Sequence, residues 1–176
     1  MTQFFRRFIG ALVLDAGAYE DIEADRHAAM QSVIVVAAVC AAGGIAGMGL
    51  GLGTGAFVSG ALIALGGWLV WAAIIVALGT SALAEPQTRS DVPQLLRVLG
   101  YAAAPGVFLV LAAMPAVAPV VLLLVSMWMV AAAVVGVRQA LDYRHTSRAI
   151  WVCALSWFIT AGMLVAFAAF FARTVS

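Results

Sequence analysis

The sequence predicts an all-α polytopic membrane protein, a bundle of five transmembrane helices preceded by an interfacial amphipathic helix. Three observations predict it. Hydrophobic residues make up 65% of the 176-residue chain and charged residues 10%, whereas soluble domains run at roughly half apolar and a quarter charged. The charges leave three long uncharged runs, Ala28–Ala84, Val98–Val137 and Ala149–Ala172, which divide into five spans at roughly 20 residues per crossing. The arginines, finally, fall almost entirely on one side of that division. This composition excludes a water-soluble enzyme and a secreted disulfide scaffold, and nine basic against eight acidic residues give no sign of a nucleic-acid partner. All nine basic residues are Arg, which with abundant Ala suggests a GC-rich bacterial genome and a bacterial cytoplasmic membrane.

The first element is expected over residues 3–14. Phe4, Phe5, Phe8, Ile9, Leu12 and Val13 recur at helical spacing, with Arg6 and Arg7 off that face. Such a helix lies flat on a membrane, its arginines near lipid phosphates. The apolar stretch Phe8–Leu14 is too short and too quickly followed by Asp15 to read as a cleaved signal peptide. Asp15, Glu20, Asp21, Glu23 and Asp25 then place five carboxylates ahead of His27. A metal site is conceivable there, but acidic residues also suit the N-terminal end of a following helix, and a solvated or docking face is expected. Folding of this segment under the bundle against Arg138, Arg144 and Arg148 would instead make a cap of modest strength.

The first span is expected at 28–50 and the second at 56–84, with the turn where Gly47, Gly49, Gly51, Gly53 and Gly55 alternate. Gly43 and Gly47 form a GxxxG step, a site for close helix packing within the bundle or between subunits. Trp68 and Trp71 sit mid-span, away from the interfacial depth where Trp is usual. They read as bulky packers or as ligand-lining residues, and their indole N–H groups need acceptors, with Ser59 or Thr80 as possible neighbours and Ser126 for Trp128.

The third span, 92–113, has Asp91 as a possible cap and carries Arg97, Gly100, Tyr101 and Pro105. Pro105 removes the helical donor to the Tyr101 carbonyl and should kink the span. Arg97 either snorkels to the headgroups or makes an internal polar contact. Pro115 and Pro119 end this helix before the fourth span, 118–140, in which Trp128 again lies mid-span. The loop containing Arg138, Asp142, Tyr143, Arg144 and Arg148 is a conventional polar connection, or one that binds an anionic headgroup or a protein. The fifth span is 148–171. Cys40 and Cys153 fall inside spans and read as small apolar packers.

Orientation follows from charge. Arg6, Arg7, Arg26, Arg89, Arg97, Arg138, Arg144 and Arg148 share one side, Arg173 alone lies on the other, and the intervening turns carry no charge. Positive charge stays cytoplasmic, so the N-terminus is expected inside and the C-terminus outside. No catalytic, cofactor or metal motif is present. Membrane lipids, a homo-oligomer and a cytoplasmic or membrane protein are the expected partners.

Several polar motifs carry a family resemblance: Leu14-Asp15, Tyr19–Asp25, Trp68 and Trp71, Leu95–Tyr101 with Pro105, Trp128, Val137–Tyr143 and Arg148-Ala149-Ile150. With these the chain resembles the Yip1 family of multi-span membrane proteins, specifically its small bacterial members. The resemblance implies a five-span bundle with a cytoplasmic N-terminus. Eukaryotic members are associated with Rab GTPases and vesicle traffic between endoplasmic reticulum and Golgi. That role is not carried over, because the long N-terminal region of those members has no counterpart in this sequence. The leading expectation is a non-enzymatic membrane or protein organiser whose recognition surface includes Asp15, Tyr19, Glu20, Glu23, Asp25, Arg138, Asp142, Tyr143 and Arg148. The alternative is a small transporter, channel or lipid-moving protein with a midplane cavity near the third span, lined by Arg97, Tyr101 and the tryptophans.

Overall fold

The computed structural model describes residues 2–51, 53, 55–84 and 92–175; Arg89 and Asp91 lie outside the described residues, as does the side chain of Arg173. Among the described residues seven α-helices follow in order: α1 Thr2–Leu12, α2 Ala16–Ala24, α3 Ala28–Gly49, α4 Ala56–Ala77, α5 Val92–Ala102, α6 Ala118–Ala140 and α7 Thr146–Val175. A π turn, Leu78–Ala82, extends α4, and a 3-10 helix, Ala104–Ala113, extends α5. Five of these units are long and apolar enough to cross a membrane. Their outer surfaces carry exposed Met30, Val33, Leu62, Leu124, Met127, Phe158 and Phe167, an apolar belt that only a bilayer would cover.

The glycine turn forms as expected: Gly51, Gly53 and Gly55 have φ of 69°, 86° and 86°, values that a β-carbon penalises. The small residues before it pack inside the chain. A β-carbon on Gly60 of α4 would stand 2.5 Å from the Gly43 carbonyl oxygen of α3, and one on Gly47 would stand 2.6 Å from the Ala56 oxygen. The Gly43–Gly47 groove therefore closes on α4 within the chain and is not open to a second subunit. Dispersion contacts between close backbones hold such a pair together, because lipid offers no hydrophobic drive between helices.

At Pro105 the span changes its helix type. Pro105 stands in the first turn of the 3-10 helix, where its missing N–H costs nothing, and Gly106 N–H bonds the Ala103 carbonyl at 2.7 Å. A 3-10 helix rises about 2.0 Å per residue against 1.5 Å for an α-helix, so the second half of this span is stretched.

The N-terminal segment differs most from expectation. Helices α1 and α2 form a hairpin whose turn is a Schellman motif: Leu14 N–H bonds the Ala11 carbonyl and Asp15 N–H the Gly10 carbonyl, with Leu14 at φ 63°. Asp15 then caps α2 by accepting from Gly17 N–H at 3.0 Å. The hairpin seats against α5 and α6. Tyr19 and Ile22 are fully buried, and a β-carbon on Gly136 of α6 would come within 3.1 Å of the Tyr19 ring. At the hairpin tip the Trp128 indole N–H donates to the Leu12 carbonyl at 2.9 Å while its ring stacks on Phe108. Since Trp128 lies near the middle of α6, the tip reaches well down the bundle.

The tryptophan acceptors thus differ from those expected. Trp68 donates to the Leu99 carbonyl at 3.4 Å, and Ser59, Thr80 and Ser126 each bond a carbonyl of their own helix. Trp71 Nε1 is buried without a partner among the described residues. Cys40 and Cys153 are free thiols.

Candidate functional site

Polar side chains gather at one end of the bundle, opposite the glycine turn. The first cluster is centred on Arg7, which is 1% exposed. Its guanidinium donates to Asp25 at 2.8 Å, to Asp21 at 3.2 Å, to Gln31 Oε1 at 3.1 Å and to the Asp21 carbonyl at 3.3 Å. Tyr101 Oη donates to the same Gln31 oxygen at 2.7 Å, and its ring lies against Phe4. Arg6 pairs with the same Asp21 oxygen, Oδ2, that Arg7 meets. The expectation that both arginines meet lipid phosphates is thereby corrected: Arg7 is satisfied inside the protein. Carboxylates offset the desolvation of a buried guanidinium, and here Asp21 of α2 and its C-cap Asp25 supply them.

The electrostatics follow. Burial pulls the Arg7 guanidinium down, and the hydrogen bonds to Asp25 and Asp21 more than offset it, so its pKa is raised overall. The Arg7 hydrogen bond holds the Asp21 carboxyl below its ordinary range. Asp25 is lowered by His27 N–H, which bonds it at 2.9 Å, and by Arg7. Asp25 therefore joins two tasks, fixing the entry to α3 and holding α1.

Beside this cluster opens a basin of about 710 Å³, walled by α2, the start of α5, the end of α6 and the turn after it. Glu20 accepts from Gln139 at 2.7 Å, Glu23 accepts from Gln94, and Arg97 donates to the Glu23 carbonyl at 2.9 Å. Arg97 is 8% exposed and its Nε has no partner among the described residues. It ties α5 to the end of α2 and stands in the wall of the basin. Burial raises the Glu23 carboxyl above its ordinary value, with the Gln94 bond opposing. Arg138 and Asp142 stand exposed on the rim.

A profile of the Yip1 domain matches residues 12–168. The chain belongs to the Yip1 family. No curated protein and no solved structure matches the chain significantly. The Yip1 domain takes in every residue of the basin, whereas Arg6 and Arg7 precede it.

Other residues that the sequence singled out in this Yip1 protein turn out to build the framework. Asp142 occupies a second Schellman turn at φ 51°, with Asp142 N–H on the Gln139 carbonyl and Tyr143 N–H on the Arg138 carbonyl. Tyr143 is buried and donates to the Gly79 carbonyl at 2.9 Å, occupying an oxygen within the π turn. Arg148 donates to the carbonyls of Leu83 and Ala84, and Tyr19 lies under α2, its phenol pushed up by burial. Tyr19 and Tyr143 are therefore buried and not exposed recognition residues, whereas Arg148 remains exposed. Gly100 lets α5 meet Ser32 of α3, where a β-carbon would sit 2.6 Å from the serine β-carbon. Sequence reasoning missed Gln31, Gln94 and Gln139. The available signal was a side-chain amide at or near each apolar span, since such a group needs a partner. Among the described residues no group of three or more His, Cys, Asp or Glu is placed to hold a metal.

Proposed function

We propose that this Yip1-family protein is a non-enzymatic organiser of the bacterial cytoplasmic membrane, with its charged end and N-terminus in the cytoplasm and its C-terminus outside. Partners meet it at the basin. The orientation rests on the arginine distribution, since Arg6, Arg7, Arg26, Arg97, Arg138, Arg144 and Arg148 belong to one end and the glycine turn at the other carries no charge. One observation carries the recognition role: the hairpin, the start of α5 and the end of α6, far apart in sequence, converge on a single polar basin with rim charges left exposed. The alternative of a polar midplane conduit finds less support. Arg97 and Tyr101 turn to the hairpin and Gln31, and the mid-bundle cavity beside Trp68 and Trp71 is about 250 Å³ and lined mostly by apolar side chains.

Photo-crosslinkers placed singly at Glu20, Arg138 and Gln139 in living cells test the proposal against crosslinkers at Gly53 and Val117. Discrete crosslinked species confined to the basin positions are expected, and those from Glu20 and Gln139 should be lost on Arg138→Glu. Equal crosslinking at both ends would sink it.

A further inference from the structure

The basin continues downward. Arg97 lines both the basin and an apolar groove of about 430 Å³ bounded by α3, α4 and the start of α5. Val33 and Leu65 of that groove are exposed on the lipid-facing surface, so it opens sideways into the bilayer. Trp68 lines this groove and also the mid-bundle cavity. From the charged end inward the surface therefore runs polar, then one buried guanidinium, then apolar.

We propose that this path is the binding site of one glycerophospholipid, with its phosphate at Arg97, its headgroup in the basin and an acyl chain in the groove beside Val33 and Leu65. It rests on the reading of the basin as the recognition end and names a ligand for it. Arg97 is suited to the phosphate because its Nε–H is buried without an acceptor, and a guanidinium forms strong charge-assisted bonds to phosphate oxygens. The volume of the basin lies within the range of small-ligand sites, roughly 300–1,000 Å³. Its charge selects among lipids. Arg26, Arg97 and Arg138 face Glu20, Glu23 and Asp142 around the wall, a balanced set that would accept a phosphate and an ammonium together. A zwitterionic headgroup, phosphoethanolamine, fits this pattern, and an anionic phosphoglycerol leaves the carboxylates without a counter-charge.

Native mass spectrometry of the full chain tests this after extraction from bilayers holding equal phosphatidylethanolamine and phosphatidylglycerol. One retained phosphatidylethanolamine per chain is expected. Arg97→Gln should lower retention about tenfold, the effect of losing one charge-assisted hydrogen bond. Because Arg97 also holds the Glu23 carbonyl, Val33→Trp provides a second variant, filling the groove from its exposed side without touching the basin, and it should lower retention similarly. No retained lipid, equal retention of phosphatidylglycerol, or loss in neither variant would overturn the proposal. Loss with Arg97→Gln but not with Val33→Trp would place the acyl chain outside the groove and overturn the path proposed here. Retention failing while basin crosslinks persist removes the lipid alone; crosslinks failing while lipid is retained removes the partner role alone.

Discussion

Replacing Arg7 by Ala should release the N-terminal hairpin while leaving the five-span bundle assembled. The side chain is 1% exposed and makes four hydrogen bonds, two of them to carboxylates. A hydrogen bond to a charged partner contributes about 1.5–3 kcal/mol. Asp21 and Asp25 are 35% and 27% exposed, so once freed they regain part of their hydration, and the sum must be discounted. A loss of about 3 kcal/mol remains, the lower end of the cost of breaking a buried pair, which is roughly a 100-fold rise in the open population. Hydrogen exchange of residues 2–24 in detergent reads that population directly, because local opening governs exchange. Residues 2–24 should exchange roughly 100-fold faster in Arg7→Ala, while α3 and α6 keep wild-type protection. Arg7→Lys should recover only part of the difference, since an ammonium lacks the planar fork that spans several acceptors. Exchange of residues 2–24 in Arg7→Ala within about twofold of wild type would refute the reasoning.

Four further outcomes follow from these contacts. Because Asp21 and Asp25 titrate below their ordinary range, the hairpin is fully held above that range and loosens as pH falls below about 4; exchange of α1 against pH checks it. Glu23 has the opposite sign, its raised carboxyl being a liability above its ordinary value, so Glu23→Gln should leave thermal stability at neutral pH equal or higher. Gly60→Ala should cost about 1–3 kcal/mol through overpacking against the Gly43 carbonyl, while Gly66→Ala, where a β-carbon meets nothing within 4 Å, should be neutral or stabilising by up to about 1 kcal/mol. Trp128→Phe keeps a ring for the Phe108 stack but loses the bond to the Leu12 carbonyl, and should destabilise the hairpin tip by about 1 kcal/mol in the same exchange experiment.

The membrane framework was legible because it depends on local quantities. Charge-free runs fixed the number of spans, Pro115 and Pro119 marked one break, and the run of alternating glycines marked another. Pairing was not legible, because sequence separation does not say which polar groups meet. Arg7 illustrates this best. Phe4, Arg7, Phe8 and Ala11 share the inward face of α1, and Phe5, Ile9 and Val13 the outward one; periodicity alone reads such a helix as one apolar face with an arginine beside it. Only the fold of α2 reveals that Asp21 and Asp25 wait for that side chain. The acidic segment does fold against the bundle, as one expectation had it, yet its ion pairs go to Arg6 and Arg7, and not to the arginines around the α6–α7 turn. Asp142 and Tyr143 were conspicuous in the sequence for a reason that it did not disclose: one tolerates a left-handed turn, and the other satisfies a carbonyl in the π turn of α4.

We propose the polar basin as the working face of this Yip1-family protein. In-cell photo-crosslinking at Glu20, Arg138 and Gln139, set against Gly53 and Val117, is its sharpest test. Discrete adducts should form at the basin positions alone, with those from Glu20 and Gln139 abolished by Arg138→Glu; adducts spread equally over both ends, or unaffected by the charge reversal, would overturn it.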